Sequence, residues 1–98
     1  MTDTTDPIAS LRVARSFLFV PGNRPERFDK AAAAGADVVI IDLEDAVAPE
    51  DKGAAREHIA GWLAAGKHAV LRINAAATPW HTADVELAAR HGAPVMLA

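Results

Sequence analysis

Apolar residues gather in four short runs separated by longer amphipathic stretches. Residues 16–20 (SFLFV), 37–42 (DVVIID), 68–73 (HAVLRI) and 94–98 (PVMLA) are rich in Val, Ile, Leu and Phe, as strands of a buried parallel sheet tend to be. The stretches between them carry helix punctuation. Residues 25–35 (PERFDKAAAAG) open on Pro25 and stop at Gly35. Residues 49–66 (PEDKGAAREHIAGWLAAG) repeat the device, with Pro49, then Glu50 and Asp51 near the positive helix end, and Gly66 as terminator, each placed where helix geometry favours it. Residues 82–92 (TADVELAARHG) offer Thr82 as an N-cap and Gly92 as a stop. In the second of these segments Ile59, Trp62 and Leu63 share the period of a helix face packed on a sheet.

The order βαβαβαβ predicts an α/β fold with a parallel sheet and right-handed crossovers. A doubly wound sheet and a (β/α)8 barrel both begin this way. The last apolar run reaches Ala98 with no covering helix, and a complete barrel takes about 250 residues. The chain therefore reads as part of something larger, preceded by a polar, flexible lead-in over residues 1–14.

Alternation along a strand puts Val38, Ile40, Asp42 and Glu44 on one face, and Val70, Arg72 and Asn74 on one face of the third strand. If the opposite, wholly apolar sets pack on helices, Asp42, Glu44, Arg72 and Asn74 converge at the C-terminal ends of the strands, where α/β active sites lie. Asp42, Glu44 and Asp45 repel one another unless a cation compensates. Arg72 is one such cation and a bound divalent metal another; all-oxygen ligands favour Mg²⁺. A purely structural arrangement accounts for the same residues: Asp45 caps the next turn and Asp42 pairs with Arg72.

The first strand leads into VPGNRPERFDK, in which Gly22 allows a tight turn and Pro25 opens a helix whose N-terminus favours an anion. Arg24, Arg27 and Lys30 suit a phosphorylated ligand, or are solvated charges paired with Glu26 and Asp29. Walker A and GxGxxG patterns are absent, and His58, His68, His81 and His91 form no HExxH pair, which argues against zinc. Trp80, after the third strand, is either a ligand wall or local packing.

Composition narrows the classes. A formal net charge of -3 gives no general reason to bind nucleic acid or an anionic membrane surface. There is no cysteine, so disulfides and thiolate metal sites are excluded and a reducing cytoplasm is the simplest compartment. No apolar run approaches the roughly 20 residues of a membrane span, and the polar N-terminus lacks the pattern of a secretory signal.

RSFLFVPGNRPERFDKA, GADVVIIDLEDAVAPEDKGAAR, LRIN followed by TPW, and the closing VML together resemble the N-terminal half of the citrate lyase β-subunit-like family, within the HpcH/HpaI aldolase group, over residues 15–98. The resemblance implies a (β/α)8 TIM barrel, of which this chain supplies the first four strands and three helices, and a Mg²⁺-dependent lyase acting on a citryl-, malyl- or citramalyl-type thioester. It implies Arg72, Asp42 and Glu44 as catalytic residues, the two carboxylates orienting the arginine or holding metal-bound water, and Asp42, Glu44 and Asp45 near the metal through its waters. The direct metal ligands and full activity are expected on strands beyond Ala98. Arg24, Arg27 and Lys30 are the expected phosphate contacts for coenzyme A. The implied partners are an acyl thioester, of coenzyme A or an acyl-carrier protein, and a 2-oxo acid. A homo-oligomer, trimer or hexamer, is also implied. Two other readings stay open: a class II pyruvate aldolase acting on free hydroxy-oxo acids, and a non-catalytic thioester-binding or assembly module.

Overall fold

The computed structural model describes residues 16–97; the lead-in at 1–14 and Ala98 lie outside the described residues. Strands β1 (Phe17–Pro21), β2 (Val38–Asp42), β3 (Val70–Ile73) and β4 (Val95–Leu97) form one parallel sheet in the order β1-β2-β3-β4. Helices α1 (Phe28–Ala33), α2 (Lys52–Ala64) and α3 (His81–His91) make the crossovers.

Both proline-initiated helices begin tighter than expected. Pro25–Arg27 and Pro49–Asp51 are single 3₁₀ turns, closed by the amides of Phe28 and Lys52 on the carbonyls of Pro25 and Pro49, so the α-helical part of the first stretch is only Phe28–Ala33. Proline suits this position because it fixes φ and removes an amide that would lack a partner. Thr82 is not the N-cap of α3. Trp80 is already near-helical at φ -93° and ψ -14°, with no side-chain cap, and the helix starts at His81. Gly92 closes α3 at φ 66°, the left-handed conformation that favours glycine.

Strand register sorts the side chains into two faces. Val20, Ile41 and Leu71 line up across the sheet and join Phe28 and Ala31 of α1, Ala55, Ile59 and Leu63 of α2, and Leu87 and Ala88 of α3 in one buried core. Trp62 packs against that core and meets Phe28 edge-on, with ring centroids 5.5 Å apart. All three helices thus cover the same face, with strands in sequential order. That is the winding of a (β/α)8 barrel; a doubly wound sheet reverses strand order and carries helices on both faces.

The opposite face carries Phe17 with Val38, then Phe19 with Ile40 and Val70, and finally Pro21, Asp42, Arg72 and Met96. It is apolar at the N-terminal ends of the strands and charged at their C-terminal ends. Phe17 and Phe19 are each 52% exposed there, and no element among the described residues covers them. Among these residues no helix is long and apolar enough to cross a membrane.

Candidate functional site

Asp42 is the last residue of β2 and is buried. Its carboxylate turns back on the following loop: Oδ1 accepts the Glu44 amide at 2.8 Å and Oδ2 the Ala46 amide at 3.1 Å. The loop Leu43–Ala46 therefore wraps around this side chain, as Asp side chains commonly arrange in turns. Asp42, rather than the 78% exposed side chain of Asp45, caps the turn.

Arg72 is the register neighbour of Asp42 on β3. Its guanidinium lies 3.1 Å from Glu44 Oε1, 3.8 Å from Asp45 Oδ2 and 3.9 Å from Asp42 Oδ2. The side chain keeps 28% of its surface exposed, so it can still meet a ligand. Glu44 Oε1 is buried yet makes no hydrogen bond: it is close enough to Arg72 for an ion pair but off the N–H directions. Three carboxylates around one guanidinium leave negative charge in excess.

Asn74 does not join this group at the strand ends. It is 2% exposed; its Nδ2 donates to the Leu43 carbonyl at 2.9 Å, and its amide and Nδ2 both donate to Asp84 Oδ2, at 2.9 and 2.6 Å. Asp84 is fully buried and pairs through Oδ1 with Arg56 at 3.2 Å. Lys52 donates from the other side, to the carbonyls of Leu43 at 2.8 Å and Glu44 at 2.9 Å. Its ammonium lies 4.9 Å from the centroid of the Trp80 ring, which makes Trp80 a packing partner of this layer. Sequence reasoning passed over Lys52 and Asp84, but a signal was present. Lys52 lies on the stripe of Ala55, Ile59 and Leu63, and Asp84 on that of Leu87 and Ala88; a charge on an apolar stripe requires a buried partner.

The first loop docks closely on β2. Gly22 donates its amide to the Asp42 carbonyl at 2.8 Å, and a Cβ at this position would stand 2.9 Å from that oxygen. Close approach, not backbone conformation, calls for glycine here. Arg27 and Lys30 line a groove of about 360 Å³ with Leu18, Phe19, Val20 and Pro21; Arg24 lies in the same loop but outside that lining. Among the described residues none of the three cations is within 4.0 Å of a carboxylate oxygen. Asp29 instead accepts Trp62 Nε1 at 2.9 Å.

Among the described residues no three His, Asp or Glu side chains form a group able to hold a metal ion. The acidic turn fits a partial role. Asp42 has both oxygens engaged by amides, whereas Glu44 Oε1 lacks a donor and Asp45 is open to solvent, so the last two suit waters around a cation better than direct coordination.

Residues 15–98 match the family model for HpcH/HpaI aldolase/citrate lyase. The chain is 44% identical over 94 residues to the L-malyl-CoA/β-methylmalyl-CoA lyase of Rhodobacter capsulatus, covering 89% of this chain and 29% of that protein. It superimposes on protein CitE of Mycobacterium tuberculosis in complex with magnesium and acetate with a TM-score of 0.77 and 48% identity, over 89% of this chain and 37% of CitE. CitE with magnesium, acetoacetate and coenzyme A gives 0.71 and 46%, over 88% and 33% of the two chains. The chain thus spans less than a third of the length of this curated lyase. Sequential parallel strands, helices on one face and a match along nearly all of its length lead to one assignment: the chain belongs to the HpcH/HpaI aldolase/citrate lyase family.

Proposed function

We propose that the protein is a Mg²⁺-dependent carbon–carbon lyase that cleaves a malyl-, citramalyl- or citryl-type thioester of coenzyme A, with Arg72 as its central cation. The observation that carries this is the partly exposed Arg72 side chain, its guanidinium held among Glu44, Asp45 and Asp42 at the C-terminal ends of β2 and β3, in a chain of this family.

In such a substrate a hydroxyl stands on the carbon β to the thioester carbonyl. Cleavage removes the hydroxyl proton, converts that C–O bond into the C=O of a 2-oxo acid and breaks the bond between the α and β carbons. The electron pair passes into the thioester as an enolate, and protonation of the α carbon gives the shorter acyl thioester. Negative charge develops on oxygen, where a fixed cation lowers the barrier because it needs no reorientation. Arg72 is that cation, directed at the oxygen that becomes the 2-oxo group of the released acid. Glu44 orients its guanidinium from 3.1 Å, and Asp42 fixes the turn that carries Glu44 through the amides of Glu44 and Ala46. Mg²⁺, when bound, supplies Lewis-acid polarisation of the substrate's hydroxyl and carboxylate oxygens. Glu44 and Asp45 would accept from the waters around it. Arg27 and Lys30 at the first groove, with Arg24 nearby, are the contacts we assign to the coenzyme A phosphates. The carrier is coenzyme A rather than an acyl-carrier protein, the assembly is a homo-oligomer, trimer or hexamer, and the compartment is the cytoplasm.

Malyl-, citramalyl- and citryl-coenzyme A incubated with the complete protein, with Mg²⁺ and after chelation, test this directly. Release of a shorter acyl-coenzyme A that stops on chelation and returns with Mg²⁺ is expected. Turnover of free hydroxy-oxo acids, with none of the thioesters cleaved, would replace the lyase by a pyruvate aldolase.

A further inference from the structure

Among the described residues Lys52 is the only buried basic side chain, at 4% exposure. It has no carboxylate within 4.0 Å among them. Its partners are two backbone carbonyls, of Leu43 at 2.8 Å and Glu44 at 2.9 Å, and the face of Trp80 at 4.9 Å. It sits on the apolar stripe of α2 with Ala55, Ile59 and Leu63. An unbranched apolar side chain would fill that position without desolvating a charge, so stability alone does not explain a lysine here. Such local departures from the apolar rule gather at functional positions.

The two carbonyls that Lys52 holds belong to the turn that presents Glu44 to Arg72. The Leu43 carbonyl takes a second bond from Asn74, at 2.9 Å, itself fixed by Asp84. On the other side of the turn, the amides of Glu44 and Ala46 are held by Asp42. The backbone is thus gripped through carbonyls by donors from α2 and from the end of β3, and through amides by β2. What remains free to respond to a ligand is the Glu44 side chain and the guanidinium it faces.

We infer that Lys52 is a positioning residue: through the Leu43 and Glu44 carbonyls it places the Glu44 carboxylate against Arg72, and it acts on catalysis only through that placement. The catalytic part of this inference rests on the lyase function proposed above; the placement itself does not.

The test compares Lys52→Met, which keeps the length of the side chain and removes its donors, with Lys52→Arg, which restores donors, in the complete protein. In Lys52→Met, kcat should fall by about tenfold or more, as misplacement of a group outside the reaction can produce, while KM for the thioester stays within about twofold because the ligand's own contacts remain. Amide exchange at Glu44 and Ala46 should accelerate by about tenfold or more relative to Leu63 of α2, a local rather than global opening. Lys52→Arg should recover part of both. Unchanged exchange at Glu44 and Ala46 would overturn the inference, as would a Lys52→Met protein that no longer folds, since Lys52 would then hold the fold and not the turn. Faster exchange with an unaltered kcat would overturn its catalytic part. If the wild-type protein cleaves no thioester, the lyase proposal fails, and the exchange comparison alone decides whether Lys52 places the turn.

Discussion

At the scale of single residues, three carboxylates that look alike in sequence have different surroundings. Asp42 is buried with both oxygens on backbone amides, Glu44 carries the shortest approach to Arg72, and Asp45 stands in solvent. Asp42→Ala should therefore destabilise the fold by about 2–4 kcal/mol, because two amides lose an ionised acceptor; the midpoint of urea unfolding reads this. Glu44→Gln should lower stability by no more than about 1 kcal/mol, since its ion pair is partly exposed, yet reduce turnover of the thioester, measured as kcat at saturating substrate. Alternation along the strands already put Asp42 and Arg72 on one face. It could not separate the carboxylates, because their difference is made by amides two and four residues further on, after the strand period has ended. Asn74 shows the same limit: its strand position is on the site face, but a buried Asp84 from α3 draws its side chain underneath.

At the scale of elements, the site depends on how closely the loop after β1 rests on β2. Gly22→Ala would put a methyl group 2.9 Å from the Asp42 carbonyl, with Ile59 Cδ1 at 3.2 Å and Ala55 Cβ at 3.3 Å on its other sides. Backbone cannot yield as a side chain can, so we expect a loss of about 1–3 kcal/mol, visible as a lower melting temperature. The four strands and three helices were legible because their apolar runs and Pro and Gly signals agree with one another. Their starts were less so. Proline announces a helix but not whether its first turn is 3₁₀, and Thr82 resembles a cap although Trp80, held over Lys52, already lies in helical geometry.

At the scale of the whole molecule, the helices cover one face of the sheet over β1 to β3 but leave Val95 and Leu97 of β4 exposed on it, and the other face is open. The helices bury Val20, Ile41 and Leu71, while Phe17 and Phe19 stand 52% exposed on the opposite face and Leu97 is 68% exposed on β4. A polypeptide of residues 1–98 alone should therefore bind a hydrophobic dye and self-associate as its concentration rises, as exposed apolar patches do. Phe17→Ser with Phe19→Ser should weaken both, read by dye fluorescence and sedimentation. Barrel winding was not decided by periodicity, which fits a doubly wound sheet equally well; strand order and the placement of all three helices on one face decide it.

The charged end of that open face is where the proposed chemistry lies, and its central claim concerns Arg72. The most direct measurement is kcat for the best coenzyme A thioester with Mg²⁺ present, in the complete protein and in its Arg72→Ala and Arg72→Lys variants, each checked for native folding. We expect kcat to fall by about a hundredfold or more in Arg72→Ala, the scale set by removing one transition-state donor, with partial recovery in Arg72→Lys. A folded Arg72→Ala protein that turns over at the wild-type rate would contradict the account.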